Sequence, residues 1–383
     1  MRARELVVGG HRLNEIVVGG SREGRTWRAN VDARELSGYV EYRQPGGAGA
    51  GRLYARLAHL AIDPGAQTDI EATLQGQPAS VPALDIVVED LELRGKHLGR
   101  VEVDAVNRGS GAVAREGGVR EWRLNRLNVS LPEGTLTASG NWAAVGASAA
   151  SPGTARRTVM NLRLDIGDAG ELLKRLGQPG VIRRGKGKLE GQLAWVGSPL
   201  ALDYPSLGGQ LNVNVESGQF LKADPGIAKL LGVLSLQSLP RRLALDFRDV
   251  FSEGFAFDFV RGDVRIDQGI AFTNNLQMKG VNAAVLMEGS ADIARETQDI
   301  KVVVVPEINA GTASIVTTII NPAVGLGTFL AQLFLRRPLI QANTQEFHID
   351  GSWADPRMTR VPHKPLTPAS SANPSDNSST VAR

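Results

Sequence analysis

Residues 211–216 read LNVNVE. In an extended chain Leu211, Val213 and Val215 share one side and Asn212, Asn214 and Glu216 take the other, the period-two pattern of a strand with one apolar face. The same alternation recurs outward in both directions. NLRLDI sets Leu162, Leu164 and Ile166 opposite Arg163 and Asp165; LALDF groups Leu243, Leu245 and Phe247; FAFDFV groups Phe255, Phe257 and Phe259. Breaks such as QPGGAGAG (44–51), LPEGT (131–135), SLGGQ (206–210) and IDQG (266–269) supply hairpin turns between these runs. The pattern predicts a mainly β chain built as antiparallel meanders.

A long internal repeat accompanies the alternation. ELVVGGHRLNEIVV (5–18) aligns without a gap on DLELRGKHLGRVEV (90–103), matching Leu6 with Leu91, Leu13 with Leu98 and Gly10 with Gly95. A tryptophan follows each copy, Trp27 and Trp122, and a second echo, SGNWA and DGSWA, ends two strands at 139–143 and 350–354. This predicts one meander unit used more than once over residues 1–150. Residues 151–360 form a second region with short helices near 168–177, 223–238 and 312–335, the first with Asp168 at its N-cap, Gly177 at its C-cap and Leu172, Leu173 and Leu176 expected on one side. From 361 to 383 the chain is rich in Pro and Ser and is expected to be disordered.

Helices are too few to cover so many strands, and a one-faced sheet must bury its apolar side. Two solutions stand: a series of sandwiches or barrels, or one long, strongly twisted sheet curved into an elongated hydrophobic groove filled by a ligand. No linker interrupts residues 1–360, which counts against the first.

Composition narrows the function. The 43 basic and 40 acidic residues nearly balance and form no block, so nucleic acid is not expected as a partner. The chain has no cysteine, which removes thiol chemistry and Cys-ligated zinc. His11, His59, His97, His348 and His363 stand far apart in sequence, with no pair at metal-ligand spacing. RRGKGKLEG (183–191) lacks the order of a phosphate loop, and GGAGAG (46–51) lacks that of a dinucleotide loop. No nucleophile, base and oxyanion donors assemble, so the expectation is a non-enzyme without cofactor or metal. The first residues contain no signal-peptide core, and strand-like alternation begins within a few residues of Met1, as expected of a piece of something longer.

Residues 308–335, INAGTASIVTTIINPAVGLGTFLAQLFL, hold no charged side chain. The length suffices for a bilayer, but Asn321 and Pro322 break it. Two short apolar helices are expected, at about 312–320 and 323–335, with Arg336 and Arg337 closing the second or meeting lipid phosphates. Ile315, Ile319, Ile320, Leu326, Phe329, Leu330 and Leu333 are the candidate apolar contacts. They would pack over the groove end, meet a target membrane or, as a third reading, span it.

Residues 208 to about 356 carry a resemblance. SGQF at a strand end, LLGVLSLQSLPRRL, FSEGFAFDFVRGDVRI, LMEGSADI and the exit VVVVPEINAG together resemble the C-terminal region of a member of the AsmA-like family of Gram-negative bacteria. The resemblance implies a long twisted β-groove, anchored in the inner membrane by an N-terminal helix, that crosses the periplasm and helps phospholipid reach the outer membrane. Against that pattern the chain is expected to be the C-terminal portion of a longer protein, without the anchor and most of the preceding body. It further implies that Leu162, Leu164, Leu211, Val213, Val215, Leu243, Leu245, Phe255, Phe257, Phe259, Val302 and Val304 line the groove, with phospholipid, both membranes and other envelope proteins as partners. The competing reading is an envelope scaffold whose sheet binds protein rather than lipid.

Overall fold

The computed structural model describes residues 1–8, 11–46, 50–62, 81–93, 95–108, 121–144, 156–199, 201–221, 255–280, 283–306, 320–336, 340–341 and 344–362. Leu243, Leu245, the helix expected at 223–238, Ile315, Ile319, Arg337 and the chain from 363 onward lie outside these residues, as does all but Ile320 of the helix expected at 312–320.

Among the described residues, alternation translates into nineteen strands of a single sheet. The first eight are β1 (Arg2–Val8), β2 (His11–Glu23), β3 (Thr26–Asp32), β4 (Leu36–Arg43), β5 (Arg52–Ile62), β6 (Ala83–Leu93), the two-residue β7 (Lys96–His97) and β8 (Arg100–Arg108). Then come β9 (Glu121–Leu131), β10 (Gly134–Ala144), β11 (Arg156–Ile166), β12 (Ile182–Val196), β13 (Gly208–Phe220) and β14 (Phe255–Asp267). The last five are β15 (Ile270–Gly280), β16 (Ala283–Asp292), β17 (Thr297–Pro306), β18 (Gln345–Ser352) and β19 (Pro356–Val361). Each long strand pairs with its neighbour in sequence, β8 pairing directly with β6 beside the short β7. No pairing among the described residues joins β1 to β19, so the sheet is open.

One pair departs from the expected antiparallel order. β5 and β6 run parallel, Leu57 opposite Val88 and Ile62 opposite Leu93. Parallel neighbours need a connection that returns the length of a strand, and residues 63–82 lie between these two. The repeated leucines fall opposite each other in both hairpins: Leu6 pairs with Leu13, and the Leu98 amide donates to the Leu91 carbonyl at 2.7 Å.

Two helices complete the described fold. α1 (Ala169–Arg175) starts at Asp168, whose side chain accepts from the Glu171 amide, and stops before Gly177 at φ +90°. Leu172 is buried and Leu176, at the cap, is 46% exposed, so they do not share the one apolar side expected of them. α2 (Gly325–Arg336) begins where Asn321 turns the chain: its side chain accepts from the Ala323 amide, and its carbonyl accepts from Val324 and Gly325. α2 buries Leu326, Leu330 and Leu333 against Leu286, Val303 and Val305 of β16 and β17. Phe329 is partly buried in the same cluster, and Ile320 joins it. No helix among the described residues is long and apolar enough to cross a membrane.

Candidate functional site: the apolar face of the sheet

Strand register decides which side chains share a face. Following paired residues from β2 to β14 gives Val18, Val31, Gly38, Leu57, Val88, Val101, Val129, Leu136, Leu164, Leu189, Val213 and Gly262. Every member of that row is Val, Leu or Gly. A parallel row runs Ala138, Leu162, Gly191, Leu211 and Val264. A third continues toward the C-terminal end through Val215, Val260, Met278, Val285 and Val304. Beside it Met287, Val302 and Phe347 pair in turn. Leu162, Leu164, Leu211, Val213 and Val215 are only half-buried, whereas Val302, Val304 and Phe257 are buried in one cluster with Phe347 and Ile349.

The opposite face is charged. Thr137, Arg163, Glu190, Asn212 and Asp263 form the neighbouring row. Ion pairs cross the strands there: Arg56 to Asp85 at 2.7 Å, Arg100 to Glu89 at 2.8 Å, and Arg28 to Glu23 at 2.9 Å and Glu41 at 3.2 Å. A water-accessible concavity of about 1020 Å³ on this side is lined by Glu190, Asn212, Asp263, Arg265, Glu288 and Asp299, next to Pro322. Over β16 and β17 this face turns apolar, and there α2 covers it. Leu326, Leu330 and Leu333 thus point into the back of the sheet, on the face opposite Val302 and Val304. The Arg336 side chain lies outside the described atoms.

Strict alternation misplaces one residue. Phe257 and Phe259 do not share a face: Phe257 packs in the apolar cluster and meets the Phe220 ring at 5.1 Å, while Arg261 of the charged face stacks on Phe259 at 4.0 Å. The reason is a bulge. Phe257 pairs with Gly280 and Phe259 with Lys279, so two residues of β14 oppose one of β15 and the alternation reverses. The Phe255 side chain lies outside the described atoms.

The chain folds two distant histidines onto one carboxylate, which spacing did not reveal. His59 Nδ1 and His97 Nδ1 stand 3.5 and 3.4 Å from the two oxygens of Asp90, because β5 lies beside β6. Among the described residues no three His, Asp or Glu are arranged to hold a metal. The best-formed ionic contact is structural. Arg175 of α1 grips Glu133 of the β9–β10 turn at 2.6 and 2.8 Å and holds its carboxyl below the usual range. What the sheet offers chemically is apolar area with one wet side.

The YhdP family profile, described as the YhdP protein, matches residues 1–358, nearly the whole chain. This chain belongs to the YhdP family. Its sequence is 31% identical over 185 residues to the intermembrane phospholipid transporter YhdP of Escherichia coli strain K12. The match covers 48% of this chain and 15% of that relative. No solved structure matches the chain. The AsmA-like resemblance seen in residues 208 to 356 therefore extends, at the level of the YhdP family, through the repeated strands that precede them.

Proposed function

We propose that this chain is a non-enzymatic segment of a lipid conduit, in which phospholipid acyl chains lie along the apolar face while head groups stay in water. The observation that carries the reading is the uninterrupted Val, Leu and Gly row from Val18 on β2 to Gly262 on β14. A sheet that needed only a core would be free to close its apolar face strand by strand against a second layer. Here the row members of β11 to β13 remain half-buried, and α1 packs on β12 at one border, where its Ala169 stands near Val215 and Ile182.

The energetics support that reading. A two-chain phospholipid exposes about thirty methylenes when drawn through water, a penalty on the order of 20 kcal/mol at about 0.8 kcal/mol each. A continuous apolar floor removes most of it. Such contacts are non-directional, so lipid can move along the rows without a specific site. The relative's name as an intermembrane phospholipid transporter supports phospholipid as cargo. On this reading the chain works in the periplasm between the inner and outer membranes of a Gram-negative cell, as part of an inner-membrane-anchored protein that meets other envelope proteins. α2 belongs to the same reading. Contact with a bilayer through Leu326, Leu330 and Leu333 requires it to leave β16 and β17, while Val324 and Leu335 are already exposed.

The test is native mass spectrometry with solvent extraction on protein exposed to phospholipid vesicles and then separated from them. Phospholipid bound at reproducible stoichiometry, and lost in Leu164→Asp with Val213→Asp while the fold is retained, is the expected result. A folded protein that stays empty would make the sheet a scaffold that binds protein.

A further inference from the structure

Resting on the conduit reading, the placement of aromatic residues orients the lipid. The strands run between two borders, one holding the β2–β3, β4–β5 and β12–β13 connections and the other the β3–β4 and β9–β10 turns. All five tryptophans of the chain fall at the first border. Trp27 and Trp122 stand second in β3 and β9, Trp142 and Trp195 near the ends of β10 and β12, and Trp353 directly after β18. Four of them belong to the apolar face by register: Trp27 pairs with Tyr42, Trp122 with Trp142, and Trp195 with Thr158, which in turn faces Trp142. Phenylalanines of that face gather toward the other border instead, where Phe220, Phe257 and Phe347 lie near strand ends.

Tryptophan and tyrosine carry an apolar body and a polar edge and collect where hydrocarbon meets water, whereas phenylalanine has no polar edge. A cation stands at the same border. Arg22, paired with Trp27 across β2 and β3, places its guanidinium 4.8 Å from the Trp27 ring centre. It lines a concavity of about 500 Å³ with Val18, Gly20, Ala29, Val40 and Tyr42. Trp27 is 45% exposed there, and among the described residues no carboxylate stands within ion-pair distance of Arg22.

We propose that lipid lies across the apolar face with its head group at the tryptophan border and its chain ends toward the phenylalanine border, and that Arg22 meets the lipid phosphate. Arginine suits a phosphate through its planar fork of donors. Trp27, exposed on that face, is the reporter nearest to lipid, while Trp122, Trp142 and Trp195 are buried and two of them, Trp122 and Trp195, donate their indole N–H to the Pro82 and Ser198 carbonyls. The protein is loaded from phosphatidylglycerol vesicles in which a fraction of the lipid carries a nitroxide either on the head group or at a chain end, and intrinsic fluorescence is read. The head-group label should quench at least twofold more than the chain-end label at equal loading. Arg22→Glu should lower phosphatidylglycerol loading several-fold while leaving loading with diacylglycerol of the same chains unchanged. Stronger quenching by the chain-end label, equal quenching by both, or equal loss of both lipids in Arg22→Glu would overturn the proposal. A wild-type chain that takes up neither lipid would fail the conduit reading itself.

Discussion

At the scale of single residues, the two faces of the sheet make opposite demands on substitution. Leu326 has no exposed surface and packs from α2 into the cluster formed with Leu286, Val303 and Val305. Truncating it to Ala should cost about 2–5 kcal/mol, the transfer loss plus the cavity left behind. Leu211→Ala, half-buried on the open face, should cost well under that in a thermal or denaturant melt of the lipid-free protein. Equal losses at the two sites would mean that the open face is closed by packing. Gly191 makes a second test. A Cβ there would stand 2.0 Å from the Gln210 carbonyl oxygen of β13, a backbone atom that no rotamer change can move. Gly191→Ala should therefore destabilise by about 1–3 kcal/mol by forcing β12 and β13 apart. Which residues share the apolar face was mostly legible at this scale because polarity alternates residue by residue. Phe259 was not, since a bulge leaves no mark in an alternating string; only the pairing with Lys279 shows that the face has switched.

At the scale of elements, the helices act as fasteners on the sheet, and each is held by contacts that can be broken singly. The stretch leading into α2 is fixed by two asparagines of β15. Asn274 donates to the Pro322 carbonyl at 2.7 Å, and the buried Asn275 donates to Asp263 at 2.8 Å and to the Ile320 carbonyl at 3.3 Å. Asn275→Asp sets a second carboxylate against Asp263 and removes the donor to Ile320. Hydrogen exchange over residues 325–336 should speed up in that variant with strands β9 to β12 unaffected; unchanged exchange would show that the apolar contacts of α2 suffice alone.

α1 answers to acid. Its Arg175 holds Glu133 below the ordinary carboxylate range, so the contact contributes fully above the usual glutamate value and is lost as pH falls through the lowered folded one. Exchange protection of α1 should drop in that acid window in the wild type. Glu133→Gln should be weaker at neutral pH and lack the acid step. An acid step that survives in Glu133→Gln would assign it to another group. Asp168 and Gly177 marked α1 in the sequence, and the Asn-Pro break marked the start of α2. The face that α2 covers was hidden, because Val303 and Val305 sit in a run of four valines where both parities are apolar and alternation says nothing.

At the scale of the molecule, one sheet replaces the series of sandwiches that composition also allowed. The decisive property is continuity. Register carries an apolar row across β2 to β14 through the parallel β5–β6 pair and through several bulges without admitting one charged residue. The alternation of individual strands and their meander order were readable from sequence, but the parallel pair was not, since the strand signals on either side of residues 63–82 carry no mark of direction. The most direct test replaces Leu57, Leu164 and Val213 of the row, and Glu190 and Asn212 of the facing row, one at a time with a photoreactive amino acid. The protein is loaded from phospholipid vesicles, irradiated and analysed for lipid adducts. Adducts at the three row positions and none at the two polar positions are the predicted result; adducts on the polar face alone, on both faces equally, or at no position would contradict a lipid path along the apolar side.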